Sequence, residues 1–309
     1  MRTAKPPHRG PHRRALKSPP ARPADTHDAP RAAARTAREA APVRPGRERA
    51  DNPGAQSWLY GRHAVIAALA NPERRWRRVA VLAGAEAEAA ALVAAAGARF
   101  EGPMAQSVGE RVEVLDRAAF NLILPDGAVH QGWALEVLPL EPPDLDDVLR
   151  ATEASPGRSV VVVLDQITDP HNVGAVLRSA AAFGAAAVIV AEHGAPPITG
   201  TLAKAASGAL DCLKLVRVVN LSRALDRLKE AGYWCCGLDE SATQPLAALD
   251  LGDRVALVLG SEGGGLRRLV REHCDYLARL PTLPVLPSLN VSNAAAIALY
   301  ELVRGETPG

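Results

Sequence analysis

Apolar and polar positions fall into two different rhythms after residue 56. The first covers 57–140. In SWLYGRHAVIAALANPERR, Trp58, Leu59 and Tyr60 lead into a helix that carries Val65, Ile66, Ala67 and Leu69, and Asn71-Pro72 stop it. RRVAVLA then has the pattern of a strand and EAEAAALVAAAGA that of an alanine-rich helix. VEVLDRAAF and GAVHQGWALEVLPL add strand and turn, which makes a small α/β unit. EPPDLDDVLRATEASPG, residues 141–157, has Pro142-Pro143, acidic residues and Ser-Pro-Gly, and reads as a linker with a helical turn or more.

From Ser159 the apolar runs are continuous and alternate with helical patterns. SVVVVLDQI, AAAVIVAE, LKLVRVV, YWCCGLD, RVALVLG and LARLP read as strands. Helices are expected at 174–183, near 200–209, over LSRALDRLKEAG and GLRRLVREHC, and across 291–304. Continuous apolar strands separated by helices predict a parallel sheet covered on both faces. Such a sheet binds its ligand beyond the carboxyl ends of its strands, so polar or glycine-rich stretches there are the candidates.

Three stretches meet that condition. In DPHNVGAVLRSAAAF, Asp169 and Asn172 are able to cap the helix, Gly174 lets the backbone approach a partner, and Arg178 is the lone charge of an apolar helix. By itself Arg178 reads equally as a solvated surface charge. LVLGSEGGGLRR carries Gly260, Ser261, Glu262 and three glycines from a strand into a helix, a turn that exposes backbone N–H groups. It is neither a GxGxxG nor a P-loop, and a plain tight turn remains open. LPTLPVLPSLNVSNAAA has three prolines in an irregular loop, then Ser288, Asn290, Ser292 and Asn293 before a helix. One of these four suffices as an N-cap.

Charge adds one feature. The net value of +2 hides an arm over 1–56 with 13 Lys+Arg against 5 Asp+Glu, whereas the rest has 23 against 29. That arm also holds 10 of the 25 prolines and few large apolar residues, so it is expected to be disordered. It suits phosphate neutralisation or merely solubility. The absence of a long apolar run excludes a membrane span, and no apolar segment follows the basic start as secretion requires. An organelle transit peptide is the lesser reading of that start. Cys212, Cys235, Cys236 and Cys274 form no CxxC pair and read as buried thiols of a reducing cytoplasm, with no metal site.

Taken together, residues 159–304 resemble the SpoU/TrmH group of SPOUT RNA methyltransferases, with LDQITDPHNVGAVLRSA, LVLGSEGGGLRRL and LPTLPVLPSLNVSNAAA as the three signature motifs in order. YGRHAVIAAL and DGAVHQGWALEV resemble the L30e-like substrate domain of 23S ribosomal RNA guanosine 2′-O-methyltransferases. The resemblance implies an L30e-like RNA-binding domain (57–140) and a SPOUT domain (159–309) whose parallel sheet ends in a trefoil knot; the linker (141–158) joins them, and the basic arm (1–56) lies outside the resemblance. It implies methyl transfer from S-adenosylmethionine to a ribose 2′-oxygen of 23S ribosomal RNA by a cytoplasmic homodimer. Gly260, Leu280 and Leu289 would cradle the donor. Arg178 would act on the 2′-hydroxyl, either as base or as stabiliser of the developing alkoxide; a guanidinium stays protonated in ordinary surroundings, which favours the second role. Asn172 would position Arg178 or RNA, Glu262 would orient the arginine or the ribose, and Ser288 and Asn290 would supply neutral donors and acceptors.

The third motif departs from the family pattern: Thr282 replaces a methionine, Pro284 stands at a glycine position and Asn293 replaces a valine. Two alternatives follow, a transfer-RNA ribose methyltransferase and a non-catalytic RNA-binding assembly factor. For RNA contact in the first domain, Arg62, His63, Arg74, Arg75, Arg77, Arg78, His130 and Gln131 are candidates, each with a surface-charge or turn alternative.

Overall fold

Two sheets organise the chain in the computed structural model, which describes residues 57–97, 111–125, 127–153, 157–283, 285 and 288–304. The basic arm expected to be disordered lies outside the described residues, as do Pro284, Leu286 and Pro287 of the third motif.

The first sheet has the order β1-β4-β2-β3, where β1 is Ser57–Tyr60, β2 Trp76–Val81, β3 Val112–Val114 and β4 Trp133–Val137. Its helices are α1 (Arg62–Ala70), α2 (Glu86–Gly97) and α3 (Arg117–Ile123). Two elements differ from the reading of the sequence. Trp58 to Tyr60 form a strand, because they pair antiparallel with Ala134 to Glu136. Residues 117–123 form a helix, nucleated by Asp116, whose side chain accepts from the Ala119 N–H. Phe120, buried in the small core, anchors that helix.

The second sheet is wholly parallel, in the order β7-β6-β5-β10-β8-β11-β9. Its strands are β5 (Ser159–Leu164), β6 (Ala187–Ala191), β7 (Lys214–Val218), β8 (Trp234–Leu238), the short β9 (Gln244–Pro245), β10 (Arg254–Leu259) and β11 (Tyr276–Arg279). Every residue of β5 is buried because alternate side chains serve opposite faces. Val160, Val162 and Leu164 pack under α5 (Pro170–Ala182), α6 (Gly200–Ala206) and α9 (Val291–Val303). Val161 and Val163 pack under α4 (Leu145–Glu153), α7 (Leu221–Glu230) and α8 (Arg268–Glu272). Thus the segment read as a linker contains a full helix, and its Val148 and Leu149 cover the sheet.

Consecutive strands run outward in one direction from β5 through β6 to β7, whereas β10 and β8 lie on its other side. The β5/β10 pair is therefore where strand order reverses, the position at which parallel sheets leave a crevice. Leu164 stands opposite Leu259, so the loops that begin at Asp165 and Gly260 emerge side by side.

The two sheets share one apolar cluster that includes Leu59, Val65 and Leu69 from the first and Leu202, Ala206 and Leu210 from the second. At their joint Arg74 Nε donates to Asp211 Oδ1 at 2.7 Å, and Asn71 Nδ2 to the same oxygen at 3.1 Å. Both charged side chains are buried, 6% and 2% exposed. Lys214 Nζ bridges to Glu73 at 2.7 Å on the surface of the same joint.

Candidate active site

Three loops converge at the β5/β10 crevice. The α5 entry is capped by Asp169, whose carboxylate accepts from the His171 N–H at 2.9 Å, with Pro170 at the first turn. One turn on, Asn172 faces the other loops. Gly174 is enforced by packing: a Cβ there would lie 2.4 Å from that of Ala205, so α5 and α6 meet backbone to backbone. The partner that the sequence left open is therefore α6.

The second loop folds on itself. Ser261 N–H donates to Gly265 C=O at 3.1 Å and Gly265 N–H returns to Ser261 C=O at 2.9 Å. A Cβ at Gly260 would sit 2.2 Å from the Gly265 carbonyl carbon, so this glycine permits the loop's own closure. The turn projects Glu262 outward, and its Oε1 becomes a hub. It accepts from Asn290 Nδ2 at 2.7 Å, from the Val291 N–H at 3.2 Å and from Asn172 Nδ2 at 3.3 Å. The second proton of Asn290 Nδ2 goes to Asn172 Oδ1 at 3.0 Å. Asn290 Oδ1 caps α9 by accepting from Ser292 N–H at 2.9 Å and from its hydroxyl at 2.5 Å. One carboxylate and two amides thus tie all three signature loops together, and Glu262 Oε2 has no protein donor among the described residues.

Below the hub, Asp165 is fully buried at the end of β5. It accepts from the Arg267 N–H at 2.8 Å and from Arg267 Nε at 2.7 Å. This pair fastens the base of the glycine loop to the strand beside it. Reading the sequence missed both residues; the signal is a lone carboxylate that ends the run VVVVL.

The remaining candidates form no hydrogen bond with the hub. Arg178 is exposed on α5, six residues beyond Asn172, so about 9 Å along the axis and about 120° around it. It forms no hydrogen bond with Asn172, whose partners are Glu262 and Asn290. Ser288 is exposed and makes no hydrogen bond among the described residues, whereas Leu280 and Leu289 are half-buried and Leu280 packs on the main core.

Whether S-adenosylmethionine suits this crevice is decided by the donor set. Half-buried leucines fit a purine face, main-chain groups around Gly260 fit its polar edge, and a carboxylate nearby suits a sulfonium cation. Beside Gly263 and Gly265 a Cβ would meet nothing within 4 Å, which leaves that flank open. The residues fit. Other chemistries find less support: burial pushes the Cys235 and Cys236 thiols up to about 12, so both are protonated at neutral pH. Among the described residues no His, Cys, Asp and Glu group is arranged to hold a metal ion. No helix among them is long and apolar enough to cross a membrane.

In the first sheet, two of the candidate RNA-contacting arginines are structural. Arg74 is the buried partner of Asp211, and Arg78 binds Glu136 and Glu113, whose hydrogen bonds raise its pKa above the ordinary value. Arg62 pairs with Glu88, and Arg77 lies 3.5 Å from Glu136. His63 and Arg75 are exposed and form no ion pair among the described residues.

Comparison with known proteins agrees with this geometry. Residues 159–300 match the SpoU rRNA Methylase family, and residues 58–143 match the domain described as RNA 2′-O ribose methyltransferase substrate binding. The chain is 40% identical over 250 residues to the 23S rRNA (guanosine-2′-O-)-methyltransferase RlmB of Xylella fastidiosa, covering 81% of this chain and 97% of that one. It is 39% identical over 246 residues to an uncharacterized tRNA/rRNA methyltransferase of Synechocystis; the match covers 80% of this chain and 62% of that protein. Among solved structures, the SpoU methyltransferase AviRb of Streptomyces viridochromogenes, in complex with AdoMet, superposes with a TM-score of 0.61 at 25% identity, over 81% of this chain and 89% of that one. With its three signature loops joined at the switch point of a parallel sheet, the chain belongs to the SpoU rRNA methylase family.

Proposed function

We propose that the protein is an S-adenosylmethionine-dependent RNA ribose 2′-O-methyltransferase that acts on a guanosine of 23S ribosomal RNA. The observation that carries this reading is the Glu262 hub, where Asn172 and Asn290 from two other loops meet one carboxylate. Bound S-adenosylmethionine supplies a methyl group already activated on a sulfonium. The chain's task is then alignment of the ribose oxygen and stabilisation of the charge that develops on it. Gly260, Leu280 and Leu289 hold the donor's flank. Glu262 and the two amides fix the loops, and Glu262 Oε2 accepts from a ribose hydroxyl. Arg178 places its guanidinium against the alkoxide, and Ser288 adds a neutral hydroxyl.

The same reading includes an L30e-like RNA-binding domain over 57–140 and a SPOUT domain from 159 with a C-terminal trefoil knot, and α4 of the connecting segment packs on the sheet of the second. It includes a cytoplasmic homodimer whose interface uses the exposed α9 side chains Ile297 and Tyr300, with Phe183 beside the tyrosine.

The test combines purified protein, S-adenosylmethionine with a labelled methyl group, and unmodified 23S ribosomal RNA or transfer RNA. Label recovered as 2′-O-methylguanosine in 23S RNA, and lost with Arg178→Ala, is the expected result. Label in transfer RNA alone would keep the chemistry and overturn the substrate. Binding of RNA with no transfer would favour the assembly-factor alternative.

A further inference from the structure

The small domain and α6 bring one partly exposed histidine ring, backed by buried aromatics, within reach of two cations, Arg117 and Lys204. The His130 ring is stacked on buried Phe120, with centroids 4.5 Å apart and planes 14° from parallel. His130 is itself half-buried. Its Nδ1 accepts from the Gly132 N–H at 3.1 Å, which puts the ring proton on Nε2. Burial first, then the charges of Arg117 and Lys204, lowers its pKa below the ordinary histidine value, so the plate is neutral at pH 7. Lys204 comes from α6 of the other sheet, its ammonium 5.9 Å from the Tyr60 ring centroid. Neither Lys204 nor Arg117 forms an ion pair among the described residues. Leu122 and Val129, 87% and 59% exposed, belong to the segments that carry Phe120 and His130.

Close backbone contacts connect this ring to the active site. A Cβ on Gly200 would lie 2.7 Å from Tyr60 Cε1, and one on Gly208 would lie 2.6 Å from Ala67 Cβ. The start of α6 is therefore packed against β1, and the turn beyond its end against α1. On its other side Ala205, the residue after Lys204, abuts Gly174, two positions from Asn172. The His130 plate and the Glu262 hub are parts of one packed body.

We propose that His130, Arg117 and Lys204 grip an unpaired stretch of the RNA that carries the methylated nucleotide. One base stacks on the outer face of His130, and Arg117 and Lys204 neutralise the phosphates on either side. This rests on the RNA-modifying reading above and gives it a second point of attachment. A flat neutral ring flanked by unpaired cations matches single-stranded RNA, whose bases expose a π-face, and not a duplex, whose bases are already stacked.

The experiment measures affinity of the full chain for an unmodified 23S RNA transcript across a salt series, with S-adenosylmethionine affinity measured in parallel. His130→Ala should weaken RNA binding by about 5- to 150-fold, the range for removing an aromatic platform under one base. His130→Phe should restore it, which also guards against a general loss of fold. Lys204→Ala and Arg117→Ala should each weaken binding and lower the salt slope by about 0.7. Affinity for S-adenosylmethionine should stay unchanged in all four variants. Wild-type RNA affinity in the His130→Ala and Lys204→Ala variants would overturn the proposal, as would equal losses in His130→Ala and His130→Phe. Wild-type protein that binds RNA through these side chains yet transfers no methyl would overturn the catalytic reading and bear out this one.

Discussion

Two polar clusters hold the working parts in place, and they are built on opposite principles. At the joint, Arg74 and Asp211 are buried as full charges in contact. At the loop site, Glu262 is exposed and its partners are neutral amides and one backbone N–H. The buried pair is completed from within the fold, by Asn71 Nδ2 on the same carboxylate oxygen and by the Leu138 carbonyl that accepts from Arg74, and either charge alone would stand uncompensated in a dry interior. An exposed carboxylate held through one oxygen keeps the other for a substrate. The joint therefore sets a permanent geometry, and the hub sets one that a ligand completes. Asp165–Arg267 lies between these extremes, the carboxylate 0% and the guanidinium 47% exposed.

The contrast breaks most readily at the joint. Asp211→Ala leaves Arg74 buried and unpaired and should cost about 3–5 kcal/mol, seen in urea unfolding. Replacing both partners, as Arg74→Met with Asp211→Leu, should recover most of that loss. A double variant no better than the single one would show that the charges themselves are needed. Asp165→Asn comes next, about 1.5–3 kcal/mol for weakening hydrogen bonds that involve a charged group. It should also weaken S-adenosylmethionine binding in calorimetry, because the glycine loop loses its tie to β5. Lys214→Ala removes a half-exposed bridge at the same joint and should cost about 0.2–1 kcal/mol. The smallest effect concerns pH. His130 has a lowered pKa when folded, so the unfolded chain takes up a proton first as pH falls below about 6.5. Its contribution is complete above that value and declines as pH drops toward the folded pKa. His130→Phe should remove this part of the pH dependence of unfolding.

Much of the second sheet is legible in the sequence because strands buried on both faces write themselves as runs such as SVVVVL and RVALVL. The small sheet is harder to read. SWLY becomes a strand only through β4, more than 70 residues away, and RAAFNLI is a short helix that buries only Phe120, too little to show a helical period. The site divides in the same way. Asn172, Glu262 and Asn290 are visible as polar residues at the carboxyl ends of strands, yet their bonding spans 90 and 118 positions and no spacing rule announces it. Arg74 looks like any arginine of ERRWRR until Asp211, 137 residues on, is placed beside it. Periodicity records which face of an element is buried; it does not record which distant charge meets which.

Single-turnover methyl transfer to 23S RNA by Glu262→Ala tests the central claim most directly, with thermal unfolding as the control. Removing the hub should lower the rate by about 100-fold or more, the scale of losing one preorganised group at a reacting centre, and lower the melting temperature by only a few degrees, since the carboxylate is exposed. A variant that folds and transfers methyl at the wild-type rate would contradict the assignment of these three loops as the site.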